Sequence, residues 1–196
     1  MSTDLQSWLE TEIASRPFTA RVFYRGKWCP FCQGQLREMN GKFLADLRAL
    51  GGELYGVTAQ TQAGVDEAVA EWELDYKVIS DAENVLAKRF GIAISEKEMP
   101  GEYAYGMAQP GVVIIDQTGK ALVQWAIDPQ ESNGFGALDR PPPNVIWGAF
   151  EAARAGNAEI TFDGPTVDPT FLQAKYPAAY AAFDAWMKAN APSAAE

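Results

Sequence analysis

RVFYRGKWCPFCQGQL, residues 21–36, holds the only two cysteines of the chain, Cys29 and Cys32, with two residues between them. On the N-terminal side, ARVFYRG after Pro17 is short, β-branched and aromatic, and reads as a strand. On the C-terminal side, Leu36, Met39, Phe43, Leu47 and Leu50 mark one apolar face of a helix from Cys32 to Leu50, which Gly51 and Gly52 end. The cysteines therefore sit where a strand passes into a helix. Two intervening residues in a first helical turn bring the two sulfurs within disulfide reach. The helix N-terminus adds unpaired N–H groups and partial positive charge, and Pro30 fits the first helical position. A thiolate at Cys29 is stabilised there, so its pKa is expected below that of an ordinary thiol. Cys29 is expected to be the exposed nucleophile. Cys32, one turn in, is expected to resolve the mixed disulfide.

Half of a metal site and two inert core thiols are the competing readings. Zinc takes its ligands from cysteine, histidine and carboxylate, and the chain has no histidine and no further cysteine. A zinc site would need carboxylates or a second chain. The lack of histidine also excludes histidine-based triads. No metal or organic cofactor is expected. The first residues, MSTDLQSWLETEI, lack a basic region followed by an apolar stretch, and no apolar run approaches the roughly 20 residues that span a bilayer. A cytoplasmic location is expected, where a close cysteine pair is more often catalytic than structural.

The chain is 196 residues long with a net charge of −10. One domain with extensions is expected. The acidic balance argues against nucleic acid and anionic membrane as partners; oligomeric state is left open. The cysteine segment runs against this balance. Between Ser15 and Lys42 stand Arg16, Arg21, Arg25, Lys27, Arg37 and Lys42 against one acid, Glu38. Arg25 and Lys27 are expected to strengthen the positive field at Cys29.

Beyond this segment the elements alternate. Leu5, Trp8, Leu9 and Ile13 give an N-terminal helix. ELYGVTA is a strand, about 63–73 a helix, KVIS a strand and about 82–90 a helix, an order that predicts parallel strand–helix–strand units. GVVIID and ALVQWAI, joined by QTGK, predict an antiparallel hairpin. Residues 95–111 read as a long loop, of a length that is more often functional than neutral. Asn144 to Ala155 is a helix. The tail is proline-punctuated up to a helix carrying Tyr180, Phe183 and Trp186, a stripe read as packing.

FYRGKWCPFC, followed by Leu36, resembles the active-site stretch of peroxiredoxin-like proteins of the alkyl hydroperoxide reductase / thiol-specific antioxidant (AhpC/TSA) family, in the thioredoxin-fold superfamily. GVTAQT (56–61), VISDAENVLAKRFGI (78–92), QPGVVIIDQTGKAL (109–122) and DRPPPNVIWGAF (139–150) resemble later family segments in order. The resemblance implies an α/β, thioredoxin-like fold with a central mixed sheet flanked by helices. The expected division is 1–16 as N-terminal helix, 17–155 as thioredoxin-like domain, and 156–196 as a C-terminal extension packing on it. It also implies a thiol–disulfide oxidoreductase that acts on a disulfide or hydroperoxide and is reset by an external dithiol or disulfide reductase. The alternatives are a thiol-dependent peroxidase and a redox-responsive binding module with Trp28, Tyr103 and Tyr105 as its contact surface.

The departures from the family pattern bear on that choice. A peroxiredoxin places Thr or Ser three residues before its peroxidatic cysteine and Pro seven before. Counted from Cys29 these are Gly26 and Val22; counted from Cys32 they are Cys29 and Arg25. Neither register supplies a hydroxyl to orient a peroxide, which favours disulfide chemistry. The buried Asp that thioredoxins often carry six residues before the first cysteine is here Phe23, and Gln35 stands where an acidic residue is expected. Pro110 resembles the cis-proline that faces the cysteines in thioredoxin folds. A cis bond would turn the Gln109 backbone toward Cys29, ready to pair with an extended substrate. Tyr103, Tyr105 and Met107 alternate with small residues, so an extended stretch would place all three on one face beside Cys29.

Overall fold

Every residue of ARVF, 20–23, is buried, because the strand it belongs to is covered on both faces. The computed structural model describes residues 2–95, 103–130 and 136–157, with isolated positions 177, 181 and 185. Strand β1 (Phe18–Phe23) lies at the centre of a five-stranded sheet. It pairs in parallel with β2 (Glu53–Thr58), which pairs in parallel with β3 (Lys77–Ser80). On its other side it pairs antiparallel with β6 (Gly111–Asp116), followed by β7 (Ala121–Ala126). The sheet is therefore mixed, with the expected parallel units on one side and the expected hairpin on the other.

Side-chain alternation along β1 builds two cores. Ala20, Val22 and Tyr24 face Leu36, Met39, Leu47, Trp72, Ile146 and Phe150. These come from α2 (Pro30–Glu38), α3 (Leu44–Ala49), α4 (Gln62–Trp72) and α6 (Pro143–Arg154), together with Met39 between α2 and α3. Phe23 lies in the opposite core with Leu9 and Ile13 of α1 (Ser2–Ser15) and Leu86 and Ala87 of α5 (Val85–Arg89). Three layers result, with the sheet in the middle.

Two local departures have clear causes. The single helix expected from Cys32 to Leu50 is interrupted at Met39–Phe43 by a π-helical turn in which Gly41 leaves helical geometry (φ −91°, ψ −122°). There the Asn40 side chain is drawn outward, accepting from the Asp75 amide at 2.7 Å and donating to the Glu73 carbonyl at 3.0 Å. The apolar face survives the interruption, since Leu36, Met39, Phe43 and Leu47 are all buried. The long loop is also shorter than expected. Its ends pair as a two-stranded antiparallel ribbon, β4 (Ile94–Ser95) with β5 (Met107–Ala108). Residues 96–102 and the tail helix with Tyr180, Phe183 and Trp186 lie outside the described residues.

Helix α5 depends on one carboxylate. Buried Asp81 accepts from the backbone N–H groups of Val85 at 2.7 Å, Leu86 at 2.9 Å and Ala87 at 3.0 Å. Burial pushes its pKa up, and the three N–H groups oppose that rise. Asp81→Ala strands those donors, and we expect a loss of about 2 kcal/mol of stability, readable as a lower urea midpoint with an unchanged m-value.

Candidate active site

β1 delivers the chain to a tight turn in which the Cys29 amide donates to the Gly26 carbonyl at 3.0 Å. Cys29 is extended (φ −88°, ψ 105°) and serves as N-cap of α2, with Pro30 at the first helical position. Its sulfur accepts from the Cys32 amide at 3.3 Å, so one orphan N–H of the helix start points at Sγ. Cys29 and Cys32 form a disulfide, with Cα atoms 5.2 Å apart. No unwinding of α2 is needed to close it.

The nucleophile is not exposed in this disulfide state, contrary to expectation. Cys29 is 1% exposed and Cys32 fully buried. Tyr24, Phe31 and Ala137 belong to the same buried cluster. Among the described residues no group of three cysteine, aspartate or glutamate side chains is placed to hold an ion.

The principal group missed by the sequence reading is Arg140. Its Nη2 donates to Cys32 Sγ at 3.3 Å and to Cys29 Sγ at 3.6 Å. Its Nη1 donates to Gln35 Oε1 at 3.3 Å and its Nε to the Ala137 carbonyl at 3.1 Å. Burial, with a further push from the Arg25 charge, pulls its pKa down to about 9. Left-handed Asp139 (φ 60°) precedes it, and the run Pro141, Pro142, Pro143 stiffens the backbone into α6. The signal was a lone arginine just ahead of a triple proline. Nothing in its sequence position shows that it meets a motif more than a hundred residues away.

Arg25 and Lys27 divide their expected role. Arg25 is buried; its Nε donates to Gln109 Oε1 at 3.2 Å, and its guanidinium lies 5.7 Å from the centroid of the Trp28 ring. Lys27 instead reaches Glu67 and Glu71 of α4, both at 3.0 Å, so its charge is engaged away from the sulfurs. Trp28 is 41% exposed beside the disulfide. Its indole N–H donates to Tyr103 Oη at 2.8 Å, and the Tyr103 hydroxyl donates to the Arg25 carbonyl at 2.9 Å. The motif loop is thus tied to the segment ahead of β5.

Three expectations about that segment are corrected. The bond before Pro110 is trans, since the described residues contain no cis peptide. The Gln109 amide donates to the Ala93 carbonyl at 2.8 Å and its side chain bridges Arg25 and Ser95, so Gln109 is held inside the fold rather than offered to a substrate strand. Gly136 (φ 89°) leaves room for this bridge, because a Cβ there would strike Gln109 Oε1. Tyr103, Tyr105 and Met107 do not share a face. A turn closed by the Gly106 amide and the Tyr103 carbonyl, 3.1 Å, buries Tyr103 and Met107 and leaves Tyr105 60% exposed.

A model of the AhpC/TSA family matches residues 20–123. The chain belongs to that family. Solved structures of AhpC/TSA-like proteins share its fold. AhpC of Enterococcus faecalis superposes with a TM-score of 0.57 at 21% identity, covering 76% of this chain and 82% of that one. The peroxidoxin BcpB of Mycobacterium tuberculosis gives 0.53 at 17%, over 75% and 84%. A bacterioferritin comigratory protein of Xanthomonas campestris, described for alkyl peroxide reduction, gives 0.54 at 16%, over 74% and 82%. No curated protein matches the sequence. The sheet order and flanking helices are those of a thioredoxin-like peroxiredoxin fold.

Within the AhpC/TSA family this chain is a peroxiredoxin-like, thiol-dependent oxidoreductase whose CxxC pair closes as a disulfide. The hydroxyl that its sequence lacks at position 26 has a spatial counterpart. A Cβ on Gly26 would collide with Tyr103 Oη and approach Gln60 Cδ to 2.9 Å. The Tyr103 hydroxyl therefore fills the space of a side chain at 26, but its single proton goes to the Arg25 carbonyl and not outward.

Gly26→Ala is expected to cost about 2 kcal/mol through this overlap. Tyr103→Phe in the same chain removes the oxygen and should recover part of the loss. Chemical denaturation of the two single variants and the double variant measures the coupling; additive losses would show that the Cβ and the hydroxyl do not compete for the space.

Proposed function

We propose that the protein is a thiol–disulfide oxidoreductase in which Cys29 attacks and Cys32 resolves. The observation that carries this reading is the closure of both cysteines into one disulfide within the first turn of α2, under a single arginine that donates to both sulfurs. In the reduced protein the Cys29 thiolate attacks one sulfur of a substrate disulfide and the other sulfur leaves as a thiolate. Cys32 then loses its proton and attacks the Cys29 sulfur of the mixed disulfide, releasing the second substrate thiolate. Two electrons have passed to the substrate, and an external dithiol or reductase returns the pair to the dithiol. The Cys32 amide and the helix start favour the thiolate on Cys29, and Arg140 steadies charge on either sulfur. Trp28, next to Cys29, and Tyr105 are the large hydrophobic side chains exposed among the described residues, and we assign them to substrate contact. Tyr103, Gln109 and Arg25 support the loop from within, while the Pro110 carbonyl accepts from the Ile127 amide. Family membership implies hydroperoxide substrates and a reductase partner in general terms. No described helix is long and apolar enough to cross a membrane, and we place the protein in the cytoplasm, where reductants keep such pairs cycling.

A second reading, a thiol-dependent peroxidase, is favoured by one observation: both sulfurs are enclosed, so a small peroxide meets less obstruction than a protein disulfide. In that case a sulfenic acid forms on one cysteine and condenses with the other thiol, releasing water. Against it stands the commitment of the Tyr103 proton to the Arg25 carbonyl.

Turnover of wild type, Cys29→Ser and Cys32→Ser against a protein disulfide and against a hydroperoxide separates the readings. We expect both serine variants to lose at least about 100-fold in disulfide turnover, and wild type to prefer the disulfide in kcat/KM. Peroxide consumption that is faster than disulfide turnover and survives Cys29→Ser would assign the chemistry to Cys32 as a peroxidase. Partner binding with no turnover of either substrate would leave the binding-module reading.

A further inference from the structure

Arg140 is a buried cation whose acceptors among the described residues carry no formal negative charge: a carbonyl, an amide oxygen and two disulfide sulfurs. Among the described residues the charge that bears on it electrostatically is a second cation, Arg25, which with burial holds its pKa down to about 9. Lys27, the other cation of the motif loop, is turned to Glu67 and Glu71 on α4. A buried charge without a counter-ion is costly.

Gln35 occupies the place where that cost would be removed. It lies one turn beyond Cys32 on the buried side of α2, 8% exposed, with Oε1 3.3 Å from Arg140 Nη1. Its Nε2 is buried and has no acceptor among the described residues. A carboxylate of the same shape would remove the orphan donor and neutralise the guanidinium together. The amide does neither, so two unfavourable features coexist at one contact. Both persist in the disulfide state, where neither sulfur bears charge. Reduction gives a thiolate 3 to 4 Å from Nη2 if the geometry is kept, and the guanidinium then has its counter-ion.

We propose that Gln35 is the tuning residue of the couple: by leaving Arg140 without a carboxylate it directs the guanidinium charge onto the sulfurs, stabilises the reduced pair, and makes Cys29–Cys32 an oxidising disulfide. This rests on the redox-couple reading above and deepens it. A pair so poised is reset by ordinary monothiols. It donates electrons to strong acceptors, such as mixed disulfides, strained disulfides or peroxides, rather than to stable structural disulfides. In the resetting step two glutathione thiols supply two electrons and two protons. The Cys29–Cys32 bond breaks, glutathione disulfide forms, and one of the two protons passes to solvent as the thiolate settles beside Arg140.

The test is redox equilibration of the full chain in glutathione buffers of graded ratio, with the reduced fraction read by alkylation and mass spectrometry. Wild type, Gln35→Glu, Gln35→Met, Arg140→Met and the double variant Gln35→Glu/Arg140→Met are compared, and alkylation rate against pH is measured for each. Gln35→Glu should shift the equilibrium at least about tenfold toward the disulfide, about 30 mV for a two-electron couple, and raise the thiol pKa. Gln35→Met, which leaves Arg140 equally uncompensated, should stay within about threefold of wild type. Arg140→Met should shift as Gln35→Glu does, and adding Gln35→Glu to it should shift nothing further. A Gln35→Glu equilibrium within threefold of wild type, a shift in the opposite sense, or an equal shift in Gln35→Met would overturn the proposal. If Gln35→Glu fails to fold, Arg140→Met decides: an unchanged equilibrium overturns it and a tenfold shift supports it. The equilibrium needs no substrate turnover, so a protein that exchanges with glutathione but turns over neither substrate fails the functional reading and leaves this one standing.

Discussion

A guanidinium buried against two sulfurs is the constraint around which the site is arranged. Arg140 must be brought to Cys29 and Cys32 from the far end of the described chain, and its charge must be tolerated there. The mixed sheet does the first. β1 ends at the motif loop, and β7, antiparallel to β6, brings the chain back to that end of the sheet, where Gly111 pairs with both Phe23 and Ala126. Neutral oxygens do the second, from Gln35 and the Ala137 carbonyl. Arg25 Nε meets the amide oxygen of Gln109 at 3.2 Å, which joins the motif loop to the end of β5. A site lined this way has a use for negative charge on sulfur.

The loop carrying the motif is held from outside itself. Tyr103 ties Trp28 to the Arg25 carbonyl, Gln60 Oε1 accepts from the Lys27 amide at 2.6 Å, and Gly26 has no side chain because both neighbours fill its place. Two sequence-distant segments thus fix the approach to α2. The cysteine spacing then needs only one helical turn to close. Rigid presentation of this kind suits an exchange reaction, in which the attacking and resolving sulfurs must stay in line.

Much of this was legible in the sequence. The β-branched and aromatic run of β1, the strand–turn–strand pattern around QTGK, the apolar spacing from Leu36 to Leu47 and the Cys-Pro-Phe-Cys start of α2 follow from local pattern, and the structure has them. What was not legible depends on contacts between segments with no shared period. The arrival of Arg140 at the sulfurs depends on a left-handed Asp139 and three prolines, none of which names its destination. The alternation of Tyr103, Tyr105 and Met107 suggested one face, but Gly106 at φ 85° turns the chain and separates them. Pro110 was expected to be cis by resemblance. In the structure the β4–β5 ribbon takes the Gln109 amide, and the bond is trans. Exposure of Cys29 was inferred from the helix start, where the first residue often faces solvent; here the Arg140 segment packs over it.

Covalent trapping distinguishes most directly whether Cys29 attacks and Cys32 resolves. The Cys32→Ser chain is reacted with a disulfide-containing peptide and the adduct is mapped by mass spectrometry. We expect a stable mixed disulfide on Cys29, and little adduct on Cys32 when Cys29→Ser is treated in the same way. An adduct that forms faster on Cys32 in the Cys29→Ser chain would contradict it and reverse the two roles.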